Sequence, residues 1–128
     1  MSVLVDTSVW IRFLSNRMPH AAQLEALLGR HDVVGHDFVY GELLAGDKGG
    51  RRKLLSDYDL MDHAPMVSHT EVVDFVRDRH LHGRGIGWID AHLLASALVA
   101  RVPLWTLDPR LATAAQELKI AYQPSTNG

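Results

Sequence analysis

Four acidic residues stand where carboxylates could act together. Asp6 and Asp108 each end an apolar run, Val3-Leu4-Val5 and Leu104-Trp105-Thr106-Leu107, and each precedes a helix-forming stretch. Sites in open α/β sheets form at the carboxyl ends of strands, so two parallel neighbours would bring both aspartates to one edge. An aspartate between strand and helix is also a good helix cap, and capping alone would explain either residue. Glu42 and Asp90 resist that explanation. The residues three and four positions from Glu42 are Phe38, Val39 and Gly46, with Leu43 adjacent, and those around Asp90 are Leu93, Leu94 and Ala97. Both carboxylates are thus expected on apolar helix faces, where charge is rarely buried without a partner. In its helix's first turn, Asp90 could also serve only the helix dipole.

Two carboxylates on apolar faces and two at strand ends suggest one acidic pocket. Like charges within ~4–6 Å raise one another's pKa and oppose folding. A divalent cation removes that repulsion, and an all-oxygen donor set with waters favours Mg2+ or Mn2+. A metal held by carboxylates against phosphate is the arrangement for phosphodiester hydrolysis by metal-activated water.

The elements that must position these residues alternate. Val3-Leu4-Val5 reads as a buried parallel strand, followed by a helix after Asp6-Thr7-Ser8. A second helix is expected over 20–29, with Leu24, Leu27 and Leu28 as its stripe, then a short strand at Val33-Val34. Asp37 is expected to cap the Glu42 helix, which stops at Gly46, and another helix holds Arg51, Arg52, Lys53, Leu54 and Leu55. Pro65-Met66-Val67 is read as a strand. Ser68 and Glu71 form a capping box before Val72, Val73, Phe75 and Val76. After three glycines, 89–100 is a helix apolar nearly all round and so central. The stretch 103–107 is a strand, and Asp108-Pro109 opens the last helix. This pattern implies an α/β domain over 1–124, a mostly parallel central sheet flanked by helices on both faces, with 125–128 as a frayed tail.

The bulk numbers limit the function classes. The 128 residues, 47% hydrophobic and 22% charged, suit one globular core. With no cysteine, a Cys-based zinc site is excluded and a reducing compartment is the easiest fit. No secretory h-region and no apolar stretch near the ~18 residues of a membrane span is visible, so a cytoplasmic location is expected. The net charge of −2 argues against an architectural nucleic-acid binder, which is usually basic. Any attraction for RNA must be local or metal-assisted. Arg51 and Arg52, beside Lys48 and Lys53, are candidate RNA contacts that a solvated face explains equally well; Arg84 is another, in a second basic stretch with Arg77, Arg79, His80 and His82 that reads as a mobile substrate flap or only as a helix end with favourable cations. None of the eight histidines has His-Glu-x-x-His spacing.

The segments Val3-Leu4-Val5-Asp6-Thr7-Ser8-Val9-Trp10, Tyr40-Gly41-Glu42-Leu43-Leu44-Ala45-Gly46, Ile89-Asp90-Ala91-His92-Leu93-Leu94-Ala95 and Leu104-Trp105-Thr106-Leu107-Asp108 occur in that order. In these segments the chain resembles the PIN-domain ribonucleases, and within them the VapC toxins of toxin–antitoxin pairs. The resemblance implies a PIN fold, Mg2+ or Mn2+ dependence and endonucleolytic RNA cleavage. It places the family's catalytic and metal-holding acids at Asp6, Glu42, Asp90 and Asp108, with Thr7, Ser8 and Thr106 as polar support. It also implies a homodimer, assembled with a VapB-like antitoxin into a heterotetramer or larger. Two rivals remain. One is a receiver-like Mg2+-binding α/β module, which normally needs adjacent acidic residues and a late lysine, here only Lys119. The other is a non-catalytic module acting through protein binding, which should have lost a carboxylate.

Overall fold

In the computed structural model, which describes residues 1–124, three short parallel strands form the centre: β1 (Val3–Val5), β2 (Val33–Val34) and β3 (Leu104–Trp105). Their order is β2-β1-β3, with Val3 opposite Val33 and Leu4 opposite Leu104. Successive strand residues point to opposite faces. All three residues of β1 are nonetheless buried, so both faces of the sheet are covered.

Helices α1 (Thr7–Leu14) and α2 (His20–Gly29) join β1 to β2, and α1 packs closely on α2. Between β2 and β3 come α3 (Asp37–Ala45), α4 (Arg52–Leu60), α5 (His69–Asp78) and α6 (Trp88–Ala100), and α7 (Pro109–Glu117) follows β3. Every residue from Ala91 to Ala97 is buried, as expected of a helix apolar nearly all round. The core joins Leu93 and Leu94 of α6 to Leu4, Trp105, Leu24 and Leu111. Ser68 caps α5 by accepting the Glu71 amide, and its hydroxyl donates to the Glu71 carboxylate.

Three local expectations are corrected. The cap of α3 is His36, whose Nδ1 accepts the Phe38 amide at 3.0 Å, while Asp37 is the first helical residue. Residues 65–67 are not a strand: Pro65 has no amide hydrogen to offer a ladder, and its carbonyl accepts the buried Ser96 hydroxyl at 2.7 Å. The last strand is only Leu104–Trp105, because the hydroxyl of Thr106 and the amide of Leu107 turn to side chains. The expected tail, 125–128, lies outside the described residues.

Because the strands are parallel, their carboxyl ends share an edge. Asp6 leaves β1 there, His36 leaves β2 to start α3, and Thr106 to Asp108 leave β3.

Candidate active site

Asp6 occupies the N-cap position of α1, with extended backbone (φ −67, ψ 154), but its side chain caps nothing. Its Oδ2 instead accepts two hydroxyls, from Ser8 and from Thr106, each at 2.7 Å. Both hydroxyl oxygens are used again: Ser8 Oγ accepts the Leu107 amide at 3.0 Å and Thr106 Oγ1 the Asp108 amide at 3.1 Å. The start of α1 and the end of β3 are thus stitched together around one buried carboxylate. Ser8 and Thr106, the expected polar support, both lie at this carboxylate.

Asp108 is also at an N-cap and does cap: its Oδ1 accepts the Arg110 amide at 2.9 Å and, at the limit of hydrogen bonding, the Leu111 amide at 3.5 Å. Pro109 supplies the first helical position, where no amide hydrogen is needed.

Glu42 is exposed, which corrects its expected burial on the apolar stripe of α3. The inward line of that helix is Val39 and Leu43, four residues apart, and Glu42 stands one position off it. What fixes it is Thr7, whose hydroxyl donates to Glu42 Oε1 at 2.7 Å.

Asp90, in the first turn of α6, is partly buried, and its Oδ2 accepts the Gly87 amide at 3.2 Å. Its pKa is pushed up from 3.8 to about 6, by burial first and then by the charge of Asp6. The Gly87 hydrogen bond opposes the rise, while Asp108 and Glu42 add to it. One carboxyl therefore feels all three of the others, which places the four in one electrostatic neighbourhood.

A common pattern runs through the four. Each commits one oxygen to the protein: Oδ2 of Asp6, Oε1 of Glu42, Oδ2 of Asp90 and Oδ1 of Asp108. Among the described residues the other oxygen of each has no protein hydrogen-bond partner, and none of the four is paired with a basic side chain. They do not meet at one point: among the described residues, no three His, Cys, Asp or Glu side chains are grouped as a metal-ligand set.

Of the candidate RNA contacts, Arg84 is taken up by Glu117 in a two-pronged ion pair at 2.8 and 2.9 Å. Arg51 and Arg52 stand at the start of α4, the one at its N-cap and the other in its first turn. Sequence reasoning missed two other arginines. Arg12 and Arg110, with Ser8, Leu107, Asp108 and Pro109, line an open cavity of about 480 Å³ beside the carboxylates. A residue-by-residue charge pattern could not single them out, because they lie in different helices. Lys119, the late lysine of the receiver-like reading, lines a different cavity with Met1 and Pro103, which precede β1 and β3 at the opposite edge of the sheet.

A small parallel sheet covered by helices, with Asp6 and Asp108 at its carboxyl edge, fits the PIN fold that the sequence resembles, and the family model described as PIN domain matches residues 3–117. The chain belongs to this family. Within it, the chain is similar to Ribonuclease VapC32 of Mycobacterium tuberculosis, from strain CDC 1551 / Oshkosh and from strain ATCC 25618 / H37Rv alike: 42% identity over 120 residues, covering 93% of this chain and 94% of the relative.

Proposed function

We propose that this chain is a divalent-metal-dependent endoribonuclease and the toxin of a VapBC-type toxin–antitoxin pair. The observation that carries the reading is the arrangement of Asp6, Glu42, Asp90 and Asp108, each anchored through one carboxylate oxygen and uncommitted at the other. The name of the VapC32 relative supplies the substrate class.

The donor chemistry suits Mg2+ or Mn2+. All four groups offer hard oxygens, no basic side chain neutralises them among the described residues, and Asp90, strained first by burial, is strained further by the charges of the other three. The carboxylates need not converge, since Mg2+ keeps several waters and is commonly held by one or two carboxylates plus substrate phosphate. When bound, the cation supplies Lewis acidity, lowering the pKa of water and stabilising charge on the phosphate.

The rest is the work of the chain. Ser8 and Thr106 hold Asp6 in one orientation, so its free oxygen is presented without reorganisation. Thr7 does the same for exposed Glu42, which would otherwise sample many rotamers. Asp90, with its pKa near 6, gives up its proton readily at neutral pH. Asp108 is positioned by the backbone of α7.

The proposal extends to a cytoplasmic homodimer bound by a VapB-like antitoxin in a heterotetramer or larger, on the strength of the family relation. Among the described residues no helix is long and apolar enough to cross a membrane.

The test is RNA cleavage by the purified chain with Mg2+ or Mn2+, with EDTA, and by D6N and D90N. Cleavage should require the metal and collapse in both variants. Undiminished cleavage by both variants would defeat the site assignment, and cleavage that ignores EDTA would defeat the metal.

A further inference from the structure

RNA approaching four carboxylates meets repulsion. Like charges repel even in bulk water, and more strongly near a protein surface. The chain as a whole, at −2, offers no compensating field. A local cation must face the strand.

Arg12 and Arg110 meet that need. Arg12 comes from the last turn of α1 and Arg110 from the first turn of α7, and both line the cavity that Ser8 and Asp108 share with the carboxylate site. Neither has an ion-pair or side-chain hydrogen-bond partner among the described residues, in contrast to Arg84 with its Glu117. Arg110 is also placed at a cost. A cation in the first turn of a helix opposes the dipole.

A second, independent feature sets the position of Arg110. Its side chain lies against Gly85: a Cβ there would come within 2.7 Å of Arg110 Nη1 and 2.8 Å of its Cδ. Gly85 has φ +78, a left-handed conformation that glycine adopts without penalty. A side chain at 85 would therefore have to displace the arginine from this position.

We propose that Arg12 and Arg110 form a phosphate subsite beside the carboxylates, gripping the phosphodiester next along the strand from the one cleaved. Guanidinium groups suit this role through paired N–H donors matched to phosphate oxygens. The subsite rests on the nuclease reading above and adds where the strand runs: from the carboxylates across Ser8 and Asp108, between α1 and α7.

The test is binding of a short fluorescein-labelled single-stranded RNA of mixed sequence, in EDTA to prevent turnover, over a range of KCl concentrations. Removing one arginine–phosphate interaction should flatten the log Kd against log salt slope by about 0.7. R12Q and R110Q should each show that flattening and bind several-fold more weakly, whereas R12K and R110K should retain the slope. R12Q is informative even if R110Q disturbs the Gly85 loop, since Arg12 does not depend on it. Unchanged slopes in both glutamine variants of a chain that binds and cleaves RNA would overturn the subsite alone. Failure of the unaltered chain to cleave RNA with Mg2+ or Mn2+ would overturn the nuclease reading and the subsite with it.

Discussion

Thr106 donates its hydroxyl hydrogen to Oδ2 of Asp6 across a separation of 100 residues in the chain, at 2.7 Å. The hydroxyl oxygen of Thr106 also accepts the Asp108 amide. One small side chain thus orients one carboxylate and fixes the backbone of another. Ser8 repeats the device, donating to Asp6 and accepting from Leu107. With both hydroxyl hydrogens given to Asp6, the 3.4 Å approach of Ser8 to Thr106 is a contact between two acceptors, closed by the carboxylate they share.

Removing the Thr106 hydroxyl should therefore weaken the site more than the fold. Thr106→Val keeps the shape of the side chain but frees Asp6 and leaves the Asp108 amide without its partner. Loss of such an orienting group typically costs about 10–100-fold in metal affinity or activity. Thr106→Ser should restore most of it. Mg2+ titration together with cleavage rates checks this, and wild-type Mg2+ affinity in Thr106→Val would remove Thr106 from the positioning role.

Asp6 and Asp108 also show where sequence reasoning reaches and where it stops. Both present the same local motif, an apolar strand, an aspartate and a helix, and nothing local distinguishes them. Asp108 caps its helix; Asp6 does not, because Ser8 and distant Thr106 claim its carboxylate. Elements set by local pattern were legible: the strand at Val3–Val5, the helix over His20–Gly29 and the buried α6. Glu42 was placed among the acidic residues for a reason that fails, since the neighbours that looked like its stripe belong to a face turned slightly away from it. Arg84 stands among the candidate RNA contacts because its partner Glu117 lies 33 residues on, out of reach of local pattern. Pairings of this kind depend on tertiary structure, and periodicity carries no trace of them.

Asp90 should be a stability liability at neutral pH. Its folded pKa, about 6, exceeds the ordinary 3.8. Between those values the folded chain holds a proton that the unfolded chain has released, so stability falls as pH rises. Asp90→Asn should stabilise the chain at pH 7 in EDTA by on the order of 1–2 kcal/mol, for a group only partly shielded from water. Thermal unfolding reads this as a higher melting temperature. Mg2+ should stabilise the unaltered chain and not this variant. A variant no more stable than the parent would mean that burial and the neighbouring carboxylates do not strain Asp90.

Ser96 should matter to the fold although it is remote from the carboxylates. His36 accepts the Phe38 amide on Nδ1, so its neutral ring carries the proton on Nε2, which donates to Ser96 Oγ at 3.0 Å. Ser96 in turn donates to the Pro65 carbonyl, and the His36 amide donates to the Tyr58 hydroxyl at 2.9 Å. Ser96→Ala leaves a buried N–H and a carbonyl unpaired. A loss of about 1–3 kcal/mol is expected in denaturant unfolding. A change under half of that lower bound would show that water replaces the hydroxyl.

His36 at the centre of this network should give the fold an acid-sensitive stability of the opposite sign to Asp90. Burial lowers its pKa from 6.5 to about 4, against a raising influence from Asp37 and with smaller lowering ones from His92 and His63. Between pH 6.5 and 4 the unfolded chain takes up a proton that the folded chain refuses, so stability falls as pH falls. Over most of that window the Asp90 effect runs the other way, and the two offset each other in the unaltered chain. Asp90→Asn should expose the His36 dependence: its unfolding midpoint should drop more steeply than the parent's from pH 6.5 to 4. Parallel profiles would overturn the shift of Asp90, and an Asp90→Asn midpoint that stays flat over this range would overturn that of His36.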